Sequence, residues 1–104
     1  MNDLPLFLAK KEVFRWVKTG EKTIDVRKGE AQQGETAIFL SGANKLKFQI
    51  TKKESGRLTE IVTDENYKSV IPPAKSLEEA LGYLRDLYGS DEGVFTAYHL
   101  LQLG

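Results

Sequence analysis

Cysteine is absent from the 104 residues, and histidine occurs once, as His99. The first absence excludes a disulfide framework, a thiolate zinc site and a thiol nucleophile. The second leaves no partner nitrogen for a metal centre, so neither a metal nor another cofactor is expected. No apolar run approaches the ~20 residues needed to cross a bilayer. Met1-Asn2-Asp3-Leu4-Pro5 lacks the basic start and apolar stretch of a signal peptide. A cytoplasmic protein without a membrane partner is the expectation. Neither sign of charge dominates, with 15 basic and 15 acidic side chains. Non-specific grip on long duplex DNA is disfavoured by that balance. Nucleotide fingerprints are missing too: Gly29 to Gly34 has neither the spacing nor the following helix of a phosphate loop. A serine triad would need His99, and no nucleophile elbow accompanies it.

The residues present, 40% hydrophobic and 29% charged, are those of a globular protein, and the length fits a single domain over 1–104. Charge is unevenly spread. Residues 1–60 carry 12 basic and 8 acidic side chains, a surplus of +4, and residues 61–104 carry 3 and 7, a deficit of −4. The first part can offer a positive face to an anionic partner while the whole stays neutral.

Taken in order, Leu4 to Leu8 is a short apolar strand with Pro5 near its start. Lys10 to Thr19 has helical spacing, with Val13, Trp16 and Val17 on one core-directed face, and Gly20 stops it. Lys22 to Lys28 alternates as a strand. Gly29 to Glu35 is a polar loop, Thr36 to Ser41 a buried strand around the apolar run Ala37 to Leu40, and Gly42 to Lys45 a hairpin turn. Leu46, Phe48 and Ile50 alternate with polar residues, the pattern of a strand buried on one face. Lys52 to Gly56 is expected to turn, and Leu58 to Val62 to form a further strand. Thr63 or Asp64 caps a short helix reaching Val70, which Ile71-Pro72-Pro73 ends. Ser76 and Glu79 form a capping box for an amphipathic helix through Tyr88, with Leu77, Ala80, Leu81, Leu84, Leu87 and Tyr88 in its stripe. Val94 to Leu103 is a long, internal strand. His99 on it is expected as a hydrogen-bonded residue at the edge of the core. Strands without regular βα alternation make the fold class α+β, a small mixed β-barrel with two or three helices packed on it.

The chemistry concentrates in Gly20-Glu21-Lys22-Thr23-Ile24-Asp25-Val26-Arg27. On a strand, Ile24 and Val26 share one face, and Asp25 and Arg27 the other, about 7 Å apart. Lys22 stands at the strand's start and Lys28 at its end. Arg27 is suited to a two-pronged hydrogen bond to phosphate or a base edge, and Lys22 to a point charge or a general base. The plainer alternative is an Asp25–Arg27 surface ion pair worth ~0–1 kcal/mol.

Gly20-x-Lys22-x-x-Asp25-x-Arg27, Gly34-Glu35 before an apolar strand, the Ser76-to-Tyr88 helix and Gly93-Val94 before the last strand resemble the ASCH domain, a family of the PUA-like superfamily. The resemblance covers nearly the whole chain. It implies an open barrel with a cleft along Lys22 to Arg27, and RNA, a nucleotide or a nucleoside as partner. Lys22, Arg27 and Lys28 would contact nucleic acid, with stacking supplied by Phe39, Tyr67 or Tyr98. A bacterial subfamily that deacetylates acetylcytidine nucleosides implies a second activity, hydrolysis with Lys22 and Asp25 as catalytic residues. Its threonine nucleophile falls here at Asp25, and its later glutamate near Pro73, so only the lysine carries over. A third reading is a protein-interaction module using the barrel edge. Oligomeric state has no signature in the chain.

Overall fold

The computed structural model describes residues 5–103. Five strands and four helices follow one another: β1 (Leu6–Leu8), α1 (Lys11–Thr19), β2 (Ile24–Lys28), β3 (Thr36–Ser41), β4 (Asn44–Gly56), α2 (Leu58–Ile61), α3 (Tyr67–Val70), α4 (Leu77–Tyr88) and β5 (Phe95–Gln102). Leu4, expected to begin the first strand, lies outside the described residues. The fold is α+β, as expected, although helices number four because α2 and α3 are single turns.

The strands form one mixed sheet in the order β1-β3-β4-β5-β2. β1 runs parallel to β3, and the other pairs are antiparallel. The sheet curls without closing, so β1 and β2 remain its two edges. Residues directly opposite in a ladder share a face. The pairs Phe7↔Phe39, Ala37↔Phe48 and Asp25↔Tyr98 therefore line the concave side. Phe7, Ala37, Phe39, Phe48, Ile50 and Tyr98 pack there with Phe14 and Val17 of α1. Ile24, Val26, Phe95 and Ala97 lie on the convex side, where Leu58, Ile61, Val70, Leu81 and Leu84 from the later helices cover them.

Two expectations are overturned. Lys52 to Gly56 does not turn but continues β4, whose pairing slips by one residue between Ile50 and Lys52. The slip is a bulge that re-aims the strand. Beyond it the inward-facing residues are polar, and each finds a partner: Lys53 Nζ donates to Gln32 O (2.6 Å), and Ser55 Oγ pairs with Thr96 Oγ1 (2.8 Å). A strand whose two faces are both polar has no hydrophobic alternation to betray it. Leu58 to Val62 is not a strand; it holds α2, where Leu58 and Ile61 are buried at helical spacing. Glu60 fixes its start by accepting the Arg57 N–H at 2.8 Å. The next helix is shorter than expected, because Thr63 to Asn66 forms a turn before α3.

The ends of α1 and α4 follow the residues closely. Ser76 Oγ accepts the Glu79 N–H at 3.1 Å, and Gly89 ends α4 with φ 80°. Gly20 ends α1 with φ 85°, and a Cβ built there meets nothing within 4 Å. Substitution Gly20→Ala is thus a matter of backbone strain alone. It is expected to destabilise the protein by about 1 kcal/mol, read as a lower urea midpoint at unchanged slope. No helix among the described residues is long and apolar enough to cross a membrane.

Candidate binding cleft at the open seam

Because the sheet does not close, the backbone groups along the outer edges of β1 and β2 need partners other than a neighbouring strand. Side chains supply them. Lys22 Nζ donates to Ile24 O (2.8 Å) and, across the chain, to Val70 O at the end of α3 (2.5 Å). Tyr88 Oη of α4 donates to Val26 O (2.5 Å). Arg27 Nη1 donates to Leu8 O (2.9 Å), spanning from β2 to β1. One guanidinium bridges the gap that a barrel would close with a ladder.

Asp25 orders this group. Its Oδ2 accepts from Arg27 Nε at 2.5 Å, and its Oδ1 lies 3.7 Å from Lys22 Nζ. Lys22 is 4% exposed and Asp25 3%, while the Arg27 side chain keeps 21%. This is not an exposed surface pair. The Arg27 guanidinium also sits over the Phe7 ring, 4.5 Å from its centroid, an arrangement that fixes its plane. Burial pushes the Lys22 ammonium down to about 8; the Asp25 carboxylate opposes that fall and the Arg27 charge adds to it.

That shift has a measurable consequence. Between pH 8 and the ordinary lysine value near 10.5, the unfolded chain holds a proton on Lys22 that the folded chain has released. Stability rises with pH wherever the unfolded state binds more protons. The Lys22 contribution therefore increases over this window. The urea midpoint is expected to climb above pH 8, and Lys22→Met to flatten the climb.

The cleft opens beside this group. Its volume is about 130 Å³, and its walls come from Leu8 to Lys10, Val13, Lys22, Asp25 to Arg27, Ile71, and Tyr83, Leu84, Leu87 and Tyr88 of α4. Its size is close to that of a cavity that admits one six-membered ring, about 150 Å³. The mouth is framed by polar-tipped aromatics: Tyr83 Oη donates to Glu12 Oε2 of α1 (3.0 Å), and its ring packs on Trp16 at 5.9 Å. Burial pushes both Tyr83 and Tyr88 up to about 12, so both phenols stay protonated through the neutral range.

Three of the sequence candidates, Lys22, Asp25 and Arg27, come together here. Lys28 does not: it is exposed at the far end of β2, on the Ile24 and Val26 side of the strand, and does not line the cleft. Phe39 and Tyr98 are fully buried in the concave core and offer no stacking surface, which corrects that expectation. Tyr67 packs into the helix-side core, away from the cleft. The sequence reading missed Tyr83, and it placed Leu87 and Tyr88 in the core stripe of α4. A signal for them exists: tyrosines drawn toward a core need hydrogen-bond partners, and two of them interrupt a helix whose other apolar residues are leucine and alanine. His99 is half-buried and bonded to Glu54 Oε1 at 2.9 Å, as its position suggested.

No protein-family model matches the chain, and no curated protein matches it either. Solved structures do. The crystal structure of hypothetical protein PH0355 superposes with a TM-score of 0.77 at 20% identity, over 97% of this chain and 100% of that one. The solution structure of protein PF0455 from Pyrococcus furiosus gives 0.66 at 21%, over 97% and 98%. ASCH from Zymomonas mobilis gives 0.68 at 12% identity, over 95% of this chain and 67% of that one. At these identities the likeness speaks for architecture alone, and the chain has an ASCH-like fold.

Proposed function

We propose that the chain binds RNA, or a nucleotide or nucleoside, by receiving one base in the seam cleft. The observation that carries this reading is the state of Arg27. Two of its five N–H groups are engaged, by Asp25 and Leu8 O, and they hold its plane over Phe7 at the wall of a ring-sized cleft. The remaining N–H groups are pre-oriented donors for base acceptors or a phosphate. The tyrosine and leucine walls suit the faces of a base, as in recognition of unpaired RNA. With Lys10, Lys22 and Arg27 against Asp25, the cleft lining carries two net positive charges. Lys22 acts through that charge, since its ammonium is spent on backbone carbonyls. Lys28, exposed at the end of β2, contacts a flanking phosphate.

Trp16 makes the proposal easy to test. It is the only tryptophan and touches the cleft residue Tyr83. Its emission is expected to change saturably on titration with a short single-stranded RNA or with free nucleosides. A flat titration with both overturns the proposal.

A second reading has one observation in its favour. A lysine with its proton affinity lowered to about 8, beside a carboxylate in a cleft, is equipped for acid–base work on an acylated nucleoside. Binding without turnover is preferred because no serine, threonine, cysteine or histidine lines the cleft. Hydrolysis of an acetylated cytidine that Lys22→Met abolishes would reverse that preference.

A further inference from the structure

Among the described residues, the convex side of the sheet is covered by helices along β5, β2 and the far end of β4, and carries none along β1, β3 and the hairpin half of β4. A solvated face is ordinary for an antiparallel sheet when its outward residues are polar. Here they are not. Leu6 and Leu8 of β1 are 60% and 75% exposed. The register sets them beside Ile38 and Leu40 of β3, which are themselves only half-buried. The four side chains form one contiguous aliphatic strip, and such patches mark interaction sites more often than chance. The next strand continues the face with a change of chemistry: Ile38 stands opposite Lys47, and Leu40 opposite Lys45, both exposed. Further along the same face the carboxylate is Glu54, already engaged by His99 and Lys52. The uncovered face thus pairs an aliphatic strip with a lysine row that, among the described residues, forms no ion pair.

We propose that this face docks an acidic amphipathic helix of a partner protein. It would lay aliphatic side chains on Leu6, Leu8, Ile38 and Leu40 and set carboxylates against Lys45 and Lys47. Continuity and charge both select that occupant. The other half of the same sheet face is already covered by helices, α4 among them, through leucine and alanine side chains. Three strands at about 4.8 Å spacing span about 10 Å, the width of one helix. The lysine row calls for acid on the incoming flank, and it repels a second copy of the same face. RNA is disfavoured here, since the face carries no aromatic ring for a base to stack on.

The test uses amide chemical-shift mapping of the full chain with a synthetic helical peptide of about 18 residues, long enough to hold a helix. The peptide has a leucine stripe and glutamate on its flanks; a control has lysine in place of glutamate. Shifts are expected at Leu6, Ile38, Leu40, Lys45 and Lys47 with the acidic peptide. The double substitution Lys45→Glu and Lys47→Glu, at exposed sites that leave the fold intact, is expected to weaken binding at least tenfold. Equal binding of the basic peptide, no shifts on this face, a dimer formed through it, or stronger binding of this face to vesicles of anionic lipid overturns the proposal.

Discussion

Substitution of Asp25 by alanine is expected to destabilise the protein by about 3–5 kcal/mol, the cost of leaving buried charges without their partner. The carboxylate touches both cations of the seam, Lys22 Nζ at 3.7 Å and Arg27 Nε at 2.5 Å, and all but 3% of the residue is shielded from water. Without it two like charges face each other in a low-dielectric cleft, and Lys22 loses the attraction that resists its deprotonation. For a chain of this size the loss corresponds to a fall in Tm on the order of 15–25 °C. Urea unfolding at neutral pH measures it. A change below about 1 kcal/mol would mean that the group behaves as an exposed pair.

Substitution Arg27→Ala has the largest expected effect on binding. It removes the oriented donors and the bridge to Leu8 O at once. Affinity for single-stranded RNA or nucleosides is expected to fall more than tenfold, at least 1.4 kcal/mol. Stability is expected to fall by about 1–2 kcal/mol, from the lost charge-assisted hydrogen bond and the contact over Phe7. Arg27→Lys separates the two losses. A lysine keeps the charge beside Asp25 but not the planar fork, so it is expected to recover stability and not affinity. If lysine recovers both, the site reads charge alone.

The candidate cluster was legible in the sequence because its parts are local. Period-two alternation from Ile24 to Arg27 puts Asp25 and Arg27 on one face, and the structure has them there. Local pattern could not announce that the sheet stays open, that Arg27 bridges to Leu8, or that Lys22 reaches Val70, 48 residues away. Those are long-range pairings with no periodicity of their own. The same limit explains the polar half of β4. Lys53 and Ser55 face inward because Gln32 and Thr96 receive them, and neither partner is a sequence neighbour. Leu58 to Val62 misled for the opposite reason: its apolar residues fit a buried strand as well as a helical turn, and Glu60 decides by capping. The walls contributed by Tyr83, Leu87 and Tyr88 were hidden in the stripe of α4, since one helix face serves both the core and the cleft.

The most direct measurement is an amide chemical-shift map of the chain titrated with a short single-stranded RNA. A base received at the open seam moves Leu8, Asp25, Arg27, Tyr83 and Tyr88 together, from three elements that meet only there. Shifts absent from those five, or confined to the hairpin of β3 and β4, would contradict it.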